Sequence, residues 1–262
     1  MARLFRVWVV GVVVLGTVFC VRGWAIALLV QSDDIWKYVD GIVQPYEALT
    51  NQGISYDRIR QEDVSSVSFS RYDFIYLVGS ADETNAFVTN SIPIMNTKYA
   101  DYVNQGGLLL IHFADPAYFS PSSLLADIAP GGVGRINRFT NTGTIVPGKE
   151  TDPIFNGVSD DDLDNWRATA HGYLIDLPAN AEILVVNEDS NPIYARYKLG
   201  LGEVWVTTMP LEWAWADHDF LNNELKLAKE RQANNVVPEP ASFGLLLTGM
   251  LLGMIGRRRK VL

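Results

Sequence analysis

Three histidines and the acidic residues around them are the groups of this sequence best suited to acid-base or metal chemistry. His112 follows an apolar run, and Asp115, three residues on, could orient its imidazole. The other candidates are His171, Glu212 and His218. An imidazole beside a carboxylate can act as a general base or bind a divalent metal ion. No His-Glu-x-x-His spacing occurs, so only the fold can bring these residues together, and a divalent metal stays possible.

Each of these residues also has a structural interpretation that needs no ligand. His112 can cap the end of a buried strand through hydrogen bonds, and Asp217 before His218 is a natural N-cap for the last helix. Aromatic residues near the predicted strand ends could stack on sugar rings or pack in the core. They are Trp166, Trp213, Trp215, Tyr118 and Tyr173.

Continuous apolar runs predict the strands that position these groups. Residues 25–31, 72–79 and 108–113 are typical of parallel strands that are buried on both faces. Helices are predicted over residues 35–49 with a kink at Pro45, over 99–105 and over 217–231. This alternation predicts an α/β fold with a doubly wound, mostly parallel sheet. Ligands of such folds bind beyond the carboxyl ends of the strands.

The second half of the chain has a different pattern. Residues 120–164 are rich in glycine, which predicts loops and short strands. Residues 181–186 predict another strand, and 192–197 with 203–208 predict a β-hairpin. One domain over residues 26–231 accounts for these elements, followed by a linker over 232–236.

Three motifs in this domain resemble those of class I glutamine-amidotransferase-like proteins, in particular the ThuA-like (trehalose-utilisation) branch. Gly106-Gly107-Leu-Leu-Leu-Ile-His112 resembles the strand before the nucleophile elbow. Residues 151–158 resemble a His-Pro-Ile-x-x-Gly turn, with Asp152 in place of the histidine. Residues 202–210 with Asn222-Asn223 resemble the closing strand and final helix. The resemblance implies a flavodoxin-like, amidotransferase-like fold.

The catalytic residues of that family are missing at the matching positions. Glutamine hydrolysis needs a cysteine at the elbow, where this chain has His112 or Phe113, and a histidine near the last strand, where it reads Met209-Pro210-Leu211-Glu212. The one cysteine, Cys20, lies near the N-terminus. The absence of a cysteine nucleophile excludes glutamine amidotransferase activity by that mechanism.

The N-terminus has the features of an export signal. Arg3 and Arg6 precede an apolar run over residues 7–19, and Gly23-Trp24-Ala25 offers a small-x-small cleavage site. Residues 1–25 are therefore interpreted as a signal peptide, with an uncleaved anchor as the alternative. Without residues 1–25 and 237–262, the chain has 14 Lys and Arg against 29 Asp and Glu, a net charge of −15. Such a charge makes nucleic acid an unfavourable partner.

The C-terminus combines Val237-Pro238-Glu239-Pro240, an apolar run over residues 243–255, and the basic cluster Arg257, Arg258, Arg259 and Lys260. This order resembles the PEP-CTERM sorting signal of Gram-negative bacteria, over residues 237–262. The resemblance implies a short transmembrane helix with a cytoplasmic basic end and processing by an exosortase-type enzyme. The protein would then pass from an inner-membrane intermediate to the cell surface or the extracellular space. An ordinary membrane anchor is the alternative.

Two functions fit these observations. The first is a surface-sorted binding or interaction module, linked to exopolysaccharide or extracellular matrix and with glycan as its partner. The second is a carbohydrate-active hydrolase that uses His112 with acidic partners, with or without a metal ion.

Overall fold

The computed structural model describes residues 26–114, 123–213, 216 and 218–234. The predicted signal peptide and sorting signal lie outside the described residues, as do Asp115, Tyr118, Trp215 and Asp217. Within the described ranges, the structure contains no helix with the length and hydropathy needed to cross a bilayer.

The strands form two sheets. In chain order they are β1 (Ile26–Val30), β2 (Ser55–Ile59), β3 (Phe74–Val78), β4 (Leu108–His112), β5 (Leu124–Ala129), β6 (Val133–Ile136), β7 (Gly143–Ile145), β8 (Tyr173–Ile175), β9 (Glu182–Asn187), β10 (Pro192–Leu199) and β11 (Gly202–Thr207). In the described part of the chain, eight of them form the main sheet in the order β2-β1-β3-β4-β11-β10-β9-β7. The small second sheet has the order β5-β6-β8.

The main sheet is mixed. Strands β2, β1, β3, β4 and β11 run parallel to one another, and β10, β9 and β7 continue the sheet by antiparallel pairing. The α/β class and the buried strands at 26–30, 74–78 and 108–112 are confirmed, and so is the hairpin of β10 and β11. Gln31-Ser32 follows the first of these strands and Gly79-Ser80 follows the second, at the carboxyl edge of the sheet.

The helix predicted over residues 35–49 was wrong in its extent. Helix α1 covers only Pro45–Asn51, with Pro45 in its first turn, where the missing amide hydrogen costs nothing. Residues 35–44 form turns instead, because Trp36 and Gly41 adopt positive φ angles of 44° and 84° that no helix accommodates. The pattern of apolar residues was genuine, but it belongs to a folded loop that packs on the core.

The remaining helices close both faces of the sheet. Helices α2 (Thr84–Ala86) and α3 (Ala100–Asn104) are joined by wide π-helical turns and a 3₁₀ turn at Ile92–Ile94, where Pro93 interrupts regular hydrogen bonding. Helix α4 (His218–Asn234) is the last described element and extends into the predicted linker.

Alternating residues of the central strands pack into two cores. Leu28, Ile75 and Leu109 face the helical segment before β4, together with the small sheet. Ala27, Tyr76 and Leu110 face the opposite way, toward α1 and α4. By the same alternation, His112 at the end of β4 lies on the α4 side.

Gly202 lies where two backbone segments approach each other closely. A Cβ atom there would overlap the carbonyl oxygens of Gly107 and Val103, which are backbone atoms with little freedom to move. Gly202→Ala should therefore lower the free energy of unfolding by about 1–3 kcal/mol, measured by urea denaturation. The matched control is Leu201→Ala, whose side chain is 79% exposed and should change stability by under about 0.5 kcal/mol. Equal stability of the two variants would contradict this packing.

Candidate functional site

Five side chains from five different parts of the chain meet inside the core between the sheet and α4. They are His112 at the end of β4, Tyr76 on β3, Tyr194 on β10, Glu212 in the turn after β11, and Glu224 on α4. We refer to them as the histidine cluster. Each is at most 1% exposed to solvent.

The imidazole of His112 lies between two carboxylates. Its Nδ1 is 2.7 Å from Glu212 Oε1, and its Nε2 is 2.7 Å from Glu224 Oε2. The hydroxyl of Tyr76 donates to Glu212 Oε1 at 2.5 Å, and that of Tyr194 donates to Glu224 Oε1 at 2.5 Å. The cluster is therefore a continuous row of hydrogen bonds with the histidine at its centre.

This geometry determines the charge of the histidine. Each ring nitrogen faces a carboxylate oxygen, so both hydrogen bonds form only when both nitrogens carry a hydrogen atom and donate it. Burial alone would lower the pKa of His112, but the charges of Glu224 and Glu212 raise it to about 10. Burial opposes ionisation of Glu212 as well, yet the neighbouring His112 and the hydroxyl of Tyr76 hold the pKa of Glu212 below its usual value. His112 is thus an imidazolium at neutral pH.

The tyrosines stay neutral for the same physical reasons. Burial, followed by the charges of Glu212 and Glu224, raises the pKa of Tyr76 well above its ordinary value. Burial and the charge of Glu224 do the same to the pKa of Tyr194. Both hydroxyls therefore remain hydrogen-bond donors to the carboxylates at physiological pH.

Local sequence explains how the two glutamates reach His112. In α4 the buried residues Phe220, Leu221, Leu225 and Ala228 form one apolar stripe, and Glu224 lies in the middle of it. Glu212 is held through its backbone, because its carbonyl oxygen accepts a hydrogen bond from the Val43 amide at 3.1 Å. A helix face and a turn therefore each place one carboxylate against the strand end.

The cluster is arranged for holding the structure together and not for acid-base turnover. Both nitrogens of His112 are engaged, and its side chain has no exposed surface. The second oxygen of Glu212, Oε2, is also buried and accepts no hydrogen bond from the described residues. A substrate would have to separate α4 from the sheet to reach the imidazole.

The other two histidines lie elsewhere. The His171 amide donates to Thr208 just after β11 at 3.0 Å, and the imidazole contacts Trp36 and Phe139 at ring-centroid distances of 6.4 and 5.0 Å. His218 begins α4, with Nε2 at 3.1 Å from the Trp213 carbonyl oxygen. Among the described residues, no group of three or more His, Cys, Asp or Glu is arranged to hold a metal ion. Asp115 is not one of the described residues, so this statement does not cover it.

A row of aromatic rings follows the carboxyl edge of the sheet. Trp213 packs on Trp36 at 5.2 Å, Trp36 contacts His171, and His171 contacts Phe139. We refer to these four residues as the aromatic row. Trp36 follows β1 and Trp213 follows β11, so the row lies where ligands of parallel sheets usually bind. Phe139 is 46% exposed and Trp213 is partly buried, whereas Trp36 and His171 are buried beneath them at 9% and 6% exposure.

The other predicted aromatic candidates have different positions. Trp166 is 2% exposed and belongs to the core, so of the two roles that the sequence left open for it, the structure shows core packing. Tyr173 is partly buried against the same core.

Sequence reasoning missed Tyr76, Tyr194 and Glu224. The available indication was Glu224, a carboxylate within an otherwise apolar helical stripe, because a glutamate is rarely buried without a partner. The tyrosines could not be distinguished from ordinary strand residues.

Asp152 shows how this chain departs from the ThuA-like turn. Its carboxylate accepts a hydrogen bond from the Ile154 amide at 3.1 Å and pairs with Arg196, which also bonds Glu182. The aspartate that replaces histidine is therefore part of an ion-pair network that ties the turn to β9 and β10.

Comparisons with known proteins give only distant likenesses. No family model matches the chain. A protein of Clostridium acetobutylicum is 25% identical over 209 residues, which cover 76% of this chain, and the chain spans only 20% of that relative's length.

Similar solved structures include a cytoplasmic protein of Salmonella typhimurium, at 14% identity and a TM-score of 0.48, covering 78% of this chain and 98% of that one. A ThuA-like protein of Parabacteroides merdae is similar at 15% identity and a TM-score of 0.44, with 82% and 91% covered. A β-galactosidase from Bacillus circulans follows at 14% identity and a TM-score of 0.41, with 80% and 31% covered. Likenesses this distant assign neither a family nor an activity.

The charge of His112 makes the stability contribution of the cluster dependent on pH. The pKa of His112 is raised from 6.5 to about 10 in the folded chain. The charge of His112 therefore adds its full amount to the free energy of unfolding below about pH 6.5, and this stabilisation falls as the pH rises from there and is lost through pH 10. His112→Gln should lower the free energy of unfolding by about 3–5 kcal/mol at pH 6. The difference from the wild type should be smaller at pH 10, as measured by urea denaturation at both values.

The matched control is His218→Gln, at a partly exposed histidine with one hydrogen bond to a carbonyl oxygen. It should cost under about 1 kcal/mol at either pH. The charged-cluster interpretation fails if the loss for His112→Gln is the same at pH 6 and pH 10.

Proposed function

We propose that this chain is an exported, surface-sorted protein whose α/β domain binds glycan of the exopolysaccharide or extracellular matrix. The observation that carries the proposal is the accessible part of the aromatic row, Phe139 and Trp213, which the buried rings of Trp36 and His171 support from below at the carboxyl edge of the sheet. Aromatic side chains combine apolar area with polar edges, which suits the faces and hydroxyl groups of sugars.

The histidine cluster favours binding over hydrolysis. A general base needs a free nitrogen within hydrogen-bond reach of its substrate, and His112 has both nitrogens on carboxylates in a closed core. Glu212, the acidic partner expected for a hydrolase, is fully buried as well. The residues that would carry hydrolysis thus serve to join α4 to the sheet.

The proposal also includes a more specific fold for the domain. The Gly106-Gly107 strand, the 151–158 turn and the closing strand support a doubly wound domain of the amidotransferase-like, ThuA-like kind without its cysteine nucleophile. Fold alone implies no activity, so the proposed function depends on the surface residues and not on this resemblance.

Sorting to the surface completes the proposal. The Pro238-Glu239-Pro240 motif, the apolar run after it and the terminal arginines resemble a sorting signal that an exosortase-type enzyme processes at the inner membrane. A protein delivered to the surface by this route would meet the glycan of the matrix directly.

Glycan binding should depend on the aromatic row. The full-length chain is titrated with dextran and with soluble exopolysaccharide from a producing strain, by isothermal calorimetry. Phe139→Ala and Trp213→Ala should each weaken binding by about tenfold, because each removes a ring that could stack on a sugar. Leu201→Ala, an exposed side chain at the amino edge, is the control and should bind like the wild type. Unchanged binding by both aromatic variants would refute the role of the row.

Surface display should depend on the C-terminal motif. Replacement of Pro238 and Pro240 by Ala, or deletion of residues 257–260, should leave the protein in the inner-membrane fraction, as followed by cell fractionation and surface labelling. A Lys229→Ala variant serves as the control for expression and should be displayed. Normal surface display of both tail variants would disprove the sorting role.

A further inference from the structure

A pocket with both polar and apolar lining lies at the amino edge of the sheet, opposite to the aromatic row. It has a volume of about 460 Å³. The segment before β3 supplies Ser68, Phe69 and Ser70, and the helical turns before β4 supply Thr97, Lys98, Asp101, Tyr102 and Gln105. A pocket of this size falls in the range of small-molecule sites, which is about 300–1,000 Å³.

The walls of the pocket are fixed by several independent contacts. The Lys98 ammonium donates to the carbonyl oxygens of Val64 and Ser65, at 2.7 and 2.8 Å. The Tyr102 hydroxyl donates to the carbonyl oxygen of Tyr72 at 3.1 Å. These bonds connect both ends of residues 64–72, the segment before β3, to the helical turns before β4. The pocket between them is therefore formed before any ligand arrives, which reduces the entropy cost of binding.

The floor of the pocket is equally constrained. Phe69 is 5% exposed and packs against Tyr99 and Tyr102, at ring-centroid distances of 5.1 and 5.9 Å. The Lys98 ammonium lies over the Phe69 ring at 4.6 Å. Since this ammonium is committed to two carbonyl oxygens and a ring, it is not a free cation that would attract an anion into the pocket.

The remaining polar groups of the lining suit a ligand with many hydroxyl groups. The Oγ atoms of Ser68 and Ser70 form a hydrogen bond at 3.1 Å, and the Thr97 hydroxyl donates to the Ile94 carbonyl oxygen at 3.3 Å, so these groups meet a ligand mainly as acceptors. Gln105 contributes an amide that both donates and accepts, and Asp101 contributes a carboxylate that only accepts. Sugars alternate donors and acceptors around a ring, whereas an anionic ligand would meet the Asp101 carboxylate and an acidic chain.

We propose that this pocket binds one neutral sugar unit, whose hydroxyl groups donate to the Asp101 carboxylate and exchange hydrogen bonds with the hydroxyl and amide groups of the lining. It shares no residue with the aromatic row and lies at the other edge of the sheet. A glycan-binding module would thereby have two separate points of contact with sugar. Because the two sites use different residues, each can be tested while the other stays intact.

The test uses the full-length chain and the methyl glycosides of glucose, galactose and mannose, with methyl glucuronide as the anionic comparison. Binding is followed by saturation-transfer NMR and by titration. At least one neutral glycoside should bind saturably and more tightly than methyl glucuronide. Asp101→Ala and Gln105→Ala, both at exposed positions, should weaken that binding at least about tenfold without unfolding the chain.

Two variants make the test specific. Asp161→Ala removes an exposed carboxylate outside the pocket and should bind like the wild type, and so should Phe139→Ala in the aromatic row. The proposal is overturned if no neutral glycoside binds, if methyl glucuronide binds more tightly, or if Asp101→Ala and Gln105→Ala leave binding unchanged. Loss in Phe139→Ala alone would overturn it as well, by placing the sugar at the aromatic row. Retained dextran binding with loss of glycoside binding in Asp101→Ala would support two separate sites.

Discussion

A positive imidazole enclosed by two carboxylates is the interaction on which the core of this domain depends. Removing three ionisable groups from water is costly, and the cost is offset only because each charge meets its partner at 2.7 Å and two tyrosine hydroxyls complete the hydrogen bonds. Loss of His112 would leave two carboxylates in the core without a cation, and loss of either tyrosine would remove a hydrogen bond to one of them. The cluster joins β4, β3, β10, the turn after β11 and α4, so elements far apart in sequence are held in one register.

The same interaction shapes what the domain can do. Parallel α/β sheets commonly place reactive groups at the carboxyl ends of their strands, and His112 and Glu212 occupy that position in this chain. Both are engaged in contacts within the cluster, so the proposed recognition of sugars depends on residues at the rim of the sheet. There the aromatic row and, at the opposite edge, the hydroxyl-lined pocket offer surfaces suited to sugars. A structural core with recognition at its edges agrees with a binding module.

The sequence predicted the parts of this architecture that depend on local pattern. Buried strands are visible as apolar runs, and His112 and Glu212 stood out by their position after two of them. The segment from Ile35 was misjudged, because helical periodicity does not reveal that Trp36 and Gly41 take positive φ angles. Glu224 and the two tyrosines escaped prediction for another reason. Their roles arise only when α4 packs across the sheet, and pairings of such long sequence separation leave no local spacing to detect.

We infer that His112 is a buried imidazolium held between Glu212 and Glu224. Nitrogen-15 NMR of the histidine side chains, recorded on the folded full-length chain from pH 6 to pH 9, reports the protonation of this ring. Both ring nitrogens of His112 should carry hydrogen throughout this range, since its pKa is raised to about 10. Their exchange with water should be slow, because the ring has no exposed surface. A neutral His112 ring at pH 7.5, or a titration near the ordinary value of 6.5, would contradict the claim.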